Sequence, residues 1–228
     1  MSGTMVAMSE QTRRRYQSNL RREHAEATRQ RIADAARALM LERGYSATTM
    51  ADVAQAAGVA VQTLYSACPG GKPGLAKLVY DVTLAGDGRL IPQSARSQVQ
   101  AIIAEPNPVR KLALFAEMAV GIYERIGPVH RVLRSAAAAG GLTDLMAGTE
   151  QQRRTGSREP AEHLAATGFL RAGLSVDRAA DQIYALTSIE LFERLTDVCG
   201  WSFSECRDWL ARTLADALLE RAGGPGEG

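Results

Sequence analysis

Little in this sequence lends itself to redox, metal or hydrolytic chemistry. Its three cysteines, Cys68, Cys199 and Cys206, are odd in number, show no CxxC spacing and have no histidine pair nearby. That pattern speaks against a disulfide framework and a metal site, and it fits a reduced, cytoplasmic setting. Three histidines are dispersed along the chain, and no Gly-rich phosphate loop, nucleophile elbow or convincing pair of carboxylates accompanies them. An enzyme therefore finds no motif to rest on, and no cofactor is expected. No apolar run approaches the roughly 18 residues that cross a bilayer, and the first twenty residues lack the basic-then-apolar order of a secretory signal. Sustained alternation of β-branched and polar residues is also missing, which leaves an all-α fold.

What is present suffices for a core. A hydrophobic share of 46% and a charged share of 23% describe an ordinary globule, and 228 residues fit one large domain or two modest ones. The net charge of +2 conceals an uneven distribution: residues 1–80 carry 11 Lys and Arg against 6 Asp and Glu, a net of +5. The remaining chain carries 16 against 19, a net of −3. A basic end on a slightly acidic body points to a polyanion bound at one end.

Residues 1–25 are polar and Arg-rich and are predicted to form a disordered basic arm. Apolar periodicity begins at Thr28, with Ile32, Ala35, Ala36, Leu39 and Met40 on one face and Gly44 as the stop. Thr49 followed by Asp52 marks the start of a second helix over 50–57, ended by Gly58, and a third spans about 60–67. After the breaker run Pro69-Gly70-Gly71-Lys72-Pro73-Gly74, helices are predicted over 74–86, 96–104, 109–126, 129–139 and 142–170. Pro160 either kinks the last of these or starts a new helix. Two more are expected over 176–199 and 203–221. The resulting division is a helix-turn-helix domain over 26–73, a helical body over 74–222 and a disordered tail over 223–228.

The pair 50–57 and 60–67, joined through Gly58, has the pattern of a helix-turn-helix. Val53, Ala57, Val59 and Leu64 fill the small interior shared with the first helix, and Ala54 lets the two short helices approach. Ala60, Val61, Gln62, Thr63, Tyr65 and Ser66 lie off that buried face. Such a helix suits the DNA major groove: Gln62 matches an adenine edge, and Ala60 or Val61 a thymine methyl. Thr63 and Tyr65 suit phosphate oxygens, while Arg13, Arg14 and Arg15 of the arm suit the adjacent minor groove.

The order of these signals resembles one family. TRQRIADAARALMLERGYSATTMADVAQAAGVAVQTLY, residues 28–65, is similar to the DNA-binding domain of TetR-family transcriptional regulators: a first helix ending in RGY, a Thr-capped second helix with V-A-x-x-A-G-V, then T-L-Y. ALTSIELFERLTDVCGWSFSECRDWLARTLADALL, residues 185–219, resembles a ligand-domain ending of one branch of that family. The resemblance implies DNA contacts at Thr49, Ala60, Val61, Gln62, Thr63, Tyr65 and Lys72. The sequence departs from the family at Ala60, where serine is usual, and at Cys68, where an aromatic is usual. It also carries one residue more before Lys72, a change expected to loosen the joint to helix 74–86.

The resemblance further implies a repressor that is released from a palindromic operator in double-stranded DNA by a small lipophilic ligand. It implies a homodimer through helices 176–199 and 203–221, whose apolar surface exceeds what one neighbour covers. Candidate ligand contacts are Phe115, Met118, Ile122, Met146 and Tyr184, apolar positions on helices expected to converge, with Glu117 as the nearest polar group. His130 and His163 are expected to be solvated or hydrogen-bonded. The alternative is a ligand-binding protein of the same fold that has lost specific operator recognition.

Overall fold

The computed structural model describes residues 10–220, with the side chains of residues 10–16 and of residue 18 left aside. Among the described residues the secondary structure is helical throughout, apart from one isolated antiparallel bridge between Leu170 and Leu219.

α1 (Glu10–Ala47) begins well before Thr28. The expected arm is therefore helical from Glu10 onward, a correction that follows from composition. Residues 19–27 are rich in strong helix formers, Arg22 and Glu26 form an i,i+4 pair, and the charged faces stay in water. Gly44 leaves helical geometry at φ 81°, and its carbonyl accepts from the Thr48 hydroxyl at 2.9 Å, which turns the chain toward α2 (Met50–Ala57). Thr49 caps α2 by accepting from the Asp52 amide at 3.1 Å, and Gly58 closes it at φ 64°. α3 (Val61–Ala67) follows, and α4 (Lys72–Ala85) leads out of this three-helix head into the body. Ile32, Met40, Val53, Leu64 and Leu75 form the head's interior.

A turn of 3-10 helix at Gln93–Ala95 and α5 (Ser97–Ala104) precede α6 (Pro108–Ala138), the long helix of the body. The sequence predicts two helices here, yet α6 runs unbroken through Pro128. Proline removes one helical N–H and normally clashes with the Cβ of the residue before it. That residue is Gly127, which has no Cβ, and the Tyr123 ring packs close to the vacant position.

The predicted helix 142–170 is two: α7 (Thr143–Gly156) and α8 (Arg158–Ala166), parted at Ser157. Pro160 sits in the first turn of α8, where its missing N–H has no partner to lose. The predicted helix 176–199 is likewise divided, into α9 (Val176–Leu186), α10 (Ile189–Glu193) and a π turn over Arg194–Val198. The break lies where hydroxyls compete for backbone groups. Thr187 donates to the Ile183 carbonyl at 2.7 Å, and Ser188 accepts from the Leu191 amide at 3.3 Å. α11 (Phe203–Leu218) starts from a capping box of Ser202 and Glu205.

α6 is the body's axis. It packs against α11, α10, α5 and α7, while α1 and α4 press on its other side. Ile126, Leu133, Phe192, Leu210 and Leu214 are sealed in this core, continuous with that of the head. At roughly 1.5–3 kcal/mol for each large apolar side chain, this shared interior holds head and body together. No helix of the described residues is long and apolar enough to cross a membrane.

Candidate nucleic-acid interface and the cavity behind it

Leu64 is fully buried and fixes the orientation of α3. With that one side chain turned inward, Ala60, Gln62, Thr63 and Ser66 are exposed, as are Val61 at 46% and Tyr65 at 49% of their full surface. An exposed aromatic and an exposed valine on a seven-residue helix are hydrophobic groups without cover. Ala60 makes no side-chain cap, as the absent serine predicts. Within α3 the Ser66 hydroxyl donates to the Gln62 carbonyl at 3.0 Å, while the Gln62 amide is left for an outside partner. Thr49 is exposed at the neighbouring helix start. The side chains of Arg13, Arg14 and Arg15 lie outside the described residues.

Lys72 differs from the others. Its Nζ donates to the Ser46 carbonyl at 2.8 Å and stands 4.6 Å from the centre of the Tyr45 ring, and partial burial lowers its pKa from the usual lysine value. The extra residue in the Cys68–Lys72 run is taken up by Gly70 and Gly71, both at positive φ, 87° and 67°. Cys68 is buried, with burial raising its thiol pKa, and a Cβ on Gly74 would overlap the Pro69 carbonyl oxygen. The joint is thus closely fitted at these positions.

Behind the head, the body holds a cavity in two adjoining lobes that share Gln93, Phe115, Met118 and Gly156. The outer lobe, about 320 Å³, lies between α5, α6 and α8 and is lined by Val99, Ile102, Leu112 and Leu164, with Lys111 and His163 at one side. The inner lobe, about 300 Å³, reaches Ile122 and Ile126 on α6 and Tyr80 and Leu84 on α4. Such volumes suit a small organic molecule. Phe115, Met118 and Ile122 all line it. Met146 packs on the core outside both lobes, and Tyr184 stacks on the Arg153 guanidinium at 3.9 Å and bonds Glu150. Those two sit apart because α7 offers the cavity only its later turns, from Thr149 on, and the segment after α8 reaches it at Thr187 and Ile189. Glu117 is exposed and lines neither lobe.

Lys111 and His163 were not singled out as contacts by sequence, although a signal existed: Lys111, Phe115, Met118 and Ile122 recur at helical spacing, so a lysine stands in an apolar stripe. Lys111 is only 3% exposed; it donates to the carbonyls of Ile102 and Ile103 at 2.8 and 2.7 Å and lies 3.0 Å from His163 Nε2. Burial lowers the pKa of both groups, and the Lys111 charge lowers that of His163 further. His130 is buried as well, not solvated, and its Nδ1 has no hydrogen-bond partner.

Residues 32–67 match the family model for bacterial regulatory proteins of the tetR family. No curated protein sequence matches the chain. Among solved structures, a protein from Rhodococcus sp. described as a TetR-family transcriptional regulator superposes with a TM-score of 0.65 at 20% identity, covering 85% of this chain and 99% of its own. NalD, the secondary repressor of the MexAB-OprM multidrug efflux pump in Pseudomonas aeruginosa, gives 0.61 at 20% identity, over 88% of this chain and 100% of its own. SmeT in complex with triclosan gives 0.62 at 16% identity, over 89% and 98%. These likenesses extend the shared fold from the head to the body.

Proposed function

We propose that this TetR-family transcriptional regulator is a repressor that binds a palindromic operator as a homodimer and leaves it when a small lipophilic molecule enters the body. The observation that carries the reading is α3: one residue, Leu64, is buried, and Val61, Gln62, Thr63, Tyr65 and Ser66 face outward together. Gln62 supplies the amide for an adenine edge, Val61 and Ala60 the apolar contact for thymine, and Thr49, Thr63 and Tyr65 the hydroxyls for phosphates. The rival reading, a body that has lost operator recognition, has no feature in its favour.

One seven-residue helix reads few base pairs, so two copies about one DNA turn apart are needed. The segments 176–199 and 203–221 supply the surface for pairing. Trp201 and Trp209, edge to face at 6.1 Å, are half-buried, as are Leu191 and Leu195, and Val198 is 81% exposed. NalD is a repressor and SmeT takes up triclosan, which fits the same assignment here.

The cavity's inner lobe is walled by Tyr80 and Leu84 of α4, the helix separated from α3 by four residues. An occupant there pushes on α4 and alters the spacing of the two reading heads. Only the ligand's difference in affinity between the two states drives that change.

Selection of bound duplexes from random DNA tests the reading. A palindromic sequence should emerge that binds far more tightly than random duplex at the same salt. Retention that is lost with salt and shows no enrichment would leave only a basic footprint and overturn it.

A further inference from the structure

Lys111 raises a problem of charge. It is a buried ammonium whose three N–H groups go to two carbonyls and a histidine nitrogen, none of them charged. Among the described residues no carboxylate lies within ion-pair distance of it. Glu105, the acid that acts on it from afar, is bound to Arg110 at 3.1 Å. A buried cation without a counter-ion is costly, and here it borders an apolar cavity.

Its neighbour tells which kind of group is missing. An ammonium has only hydrogens to give, so His163 Nε2 accepts and the ring proton resides on Nδ1. His163 therefore carries an N–H donor that has no partner among the described residues, on a side chain that lines the same lobe. The inner lobe also contains a cation, Arg153, but that one is satisfied by Glu150 at 3.0 Å and by the Tyr184 carbonyl at 2.7 Å. Glu159, the carboxylate that lines the outer lobe, is exposed at its rim and screened by water.

Resting on the ligand-released repressor reading, we infer that the ligand is an elongated lipophilic carboxylate. Its anionic head accepts from His163 Nδ1–H in the field of Lys111, and its tail passes Phe115 and Met118 into the inner lobe against α4. The head supplies the counter-ion that Lys111 lacks, and the tail contacts the helix that positions α3. A cationic or uncharged head has no such place.

Calorimetric titration of the full chain with decanoate, 1-decanol and decyltrimethylammonium tests this. Decanoate should bind about tenfold more tightly than decanol, the size of one charge-assisted hydrogen bond, and the ammonium should not bind. Lys111→Met and His163→Leu should each bring decanoate down to the decanol level while leaving decanol unchanged. If Lys111→Met does not fold, His163→Leu decides alone. Equal binding of acid and alcohol by the unaltered protein, or a preference that survives in the variants, overturns the inference. The repressor reading fails separately: decanoate binding as expected without release of the selected operator refutes the coupling and leaves the ligand class standing. Operator release by some other compound, with no decanoate binding, does the reverse.

Discussion

The ammonium of Lys72 donates to the carbonyl of Ser46 at 2.8 Å, which ties the first residue of α4 to the end of α1. The bond makes Lys72 a brace between helices. Lys72→Met should cost about 1 kcal/mol of stability, the net value of one such hydrogen bond, read as a lower urea midpoint. The slope of DNA affinity against salt should stay the same. A slope smaller by about one would instead make Lys72 a phosphate contact.

Gln62 and Arg14 should separate sequence reading from general attraction. Gln62→Ala should relax preference at one base pair in each half-site, by about 1–3 kcal/mol, in competition binding with operator variants. Arg14→Ala should weaken all duplexes alike and lower the salt slope by about one. Identical behaviour of the two would place the reading surface elsewhere.

Two glycines in helices should respond in opposite senses to alanine. At Gly74 a Cβ meets the Pro69 carbonyl oxygen, so Gly74→Ala must displace the joint between α3 and α4 and lower the melting temperature. Gly148, exposed in α7, has nothing within 4 Å of the added atom. Gly148→Ala should stabilise by about 0.5–1 kcal/mol through helix propensity alone.

His130 should make the protein sensitive to mild acid. Burial, with Arg134 next in effect, holds its pKa below the ordinary 6.5, against the opposing pull of Glu190, Glu193 and Glu150. As pH falls through 6.5 the unfolded chain takes up a proton that the folded chain refuses, so stability declines on the acid side and levels off below the folded value. His163 shares this sign. In denaturant melts from neutral to mildly acidic pH, His130→Leu should flatten part of the decline; an unchanged pH profile would mean that His130 is protonated in the fold.

The head was legible in the sequence almost residue by residue. Thr49 and Gly58 act on backbone groups three or four positions away, and Leu64 is set inward by helical period alone, so none of the three needs the rest of the protein to be read. The body was legible as helices but not as their ends. Pro128 reads as a stop, and it passes because Gly127 removes the clash. The stretch 176–199 reads as continuous, and it breaks because Thr187 and Ser188 turn their hydroxyls onto the backbone.

Sequence alone thus determined the all-α architecture, the short third helix with its outward residues and the basic end, since each depends on local spacing or on summed charge. Only the tertiary structure decided what the body can hold. Lys111 and His163 are 52 residues apart and meet because α5, α6 and α8 converge. The cavity is the space that these helices, with α4 and α7, fail to fill, and Met146 and Tyr184 are left out of it. Space left between packed elements depends on every side chain that borders it, and no local pattern encodes it.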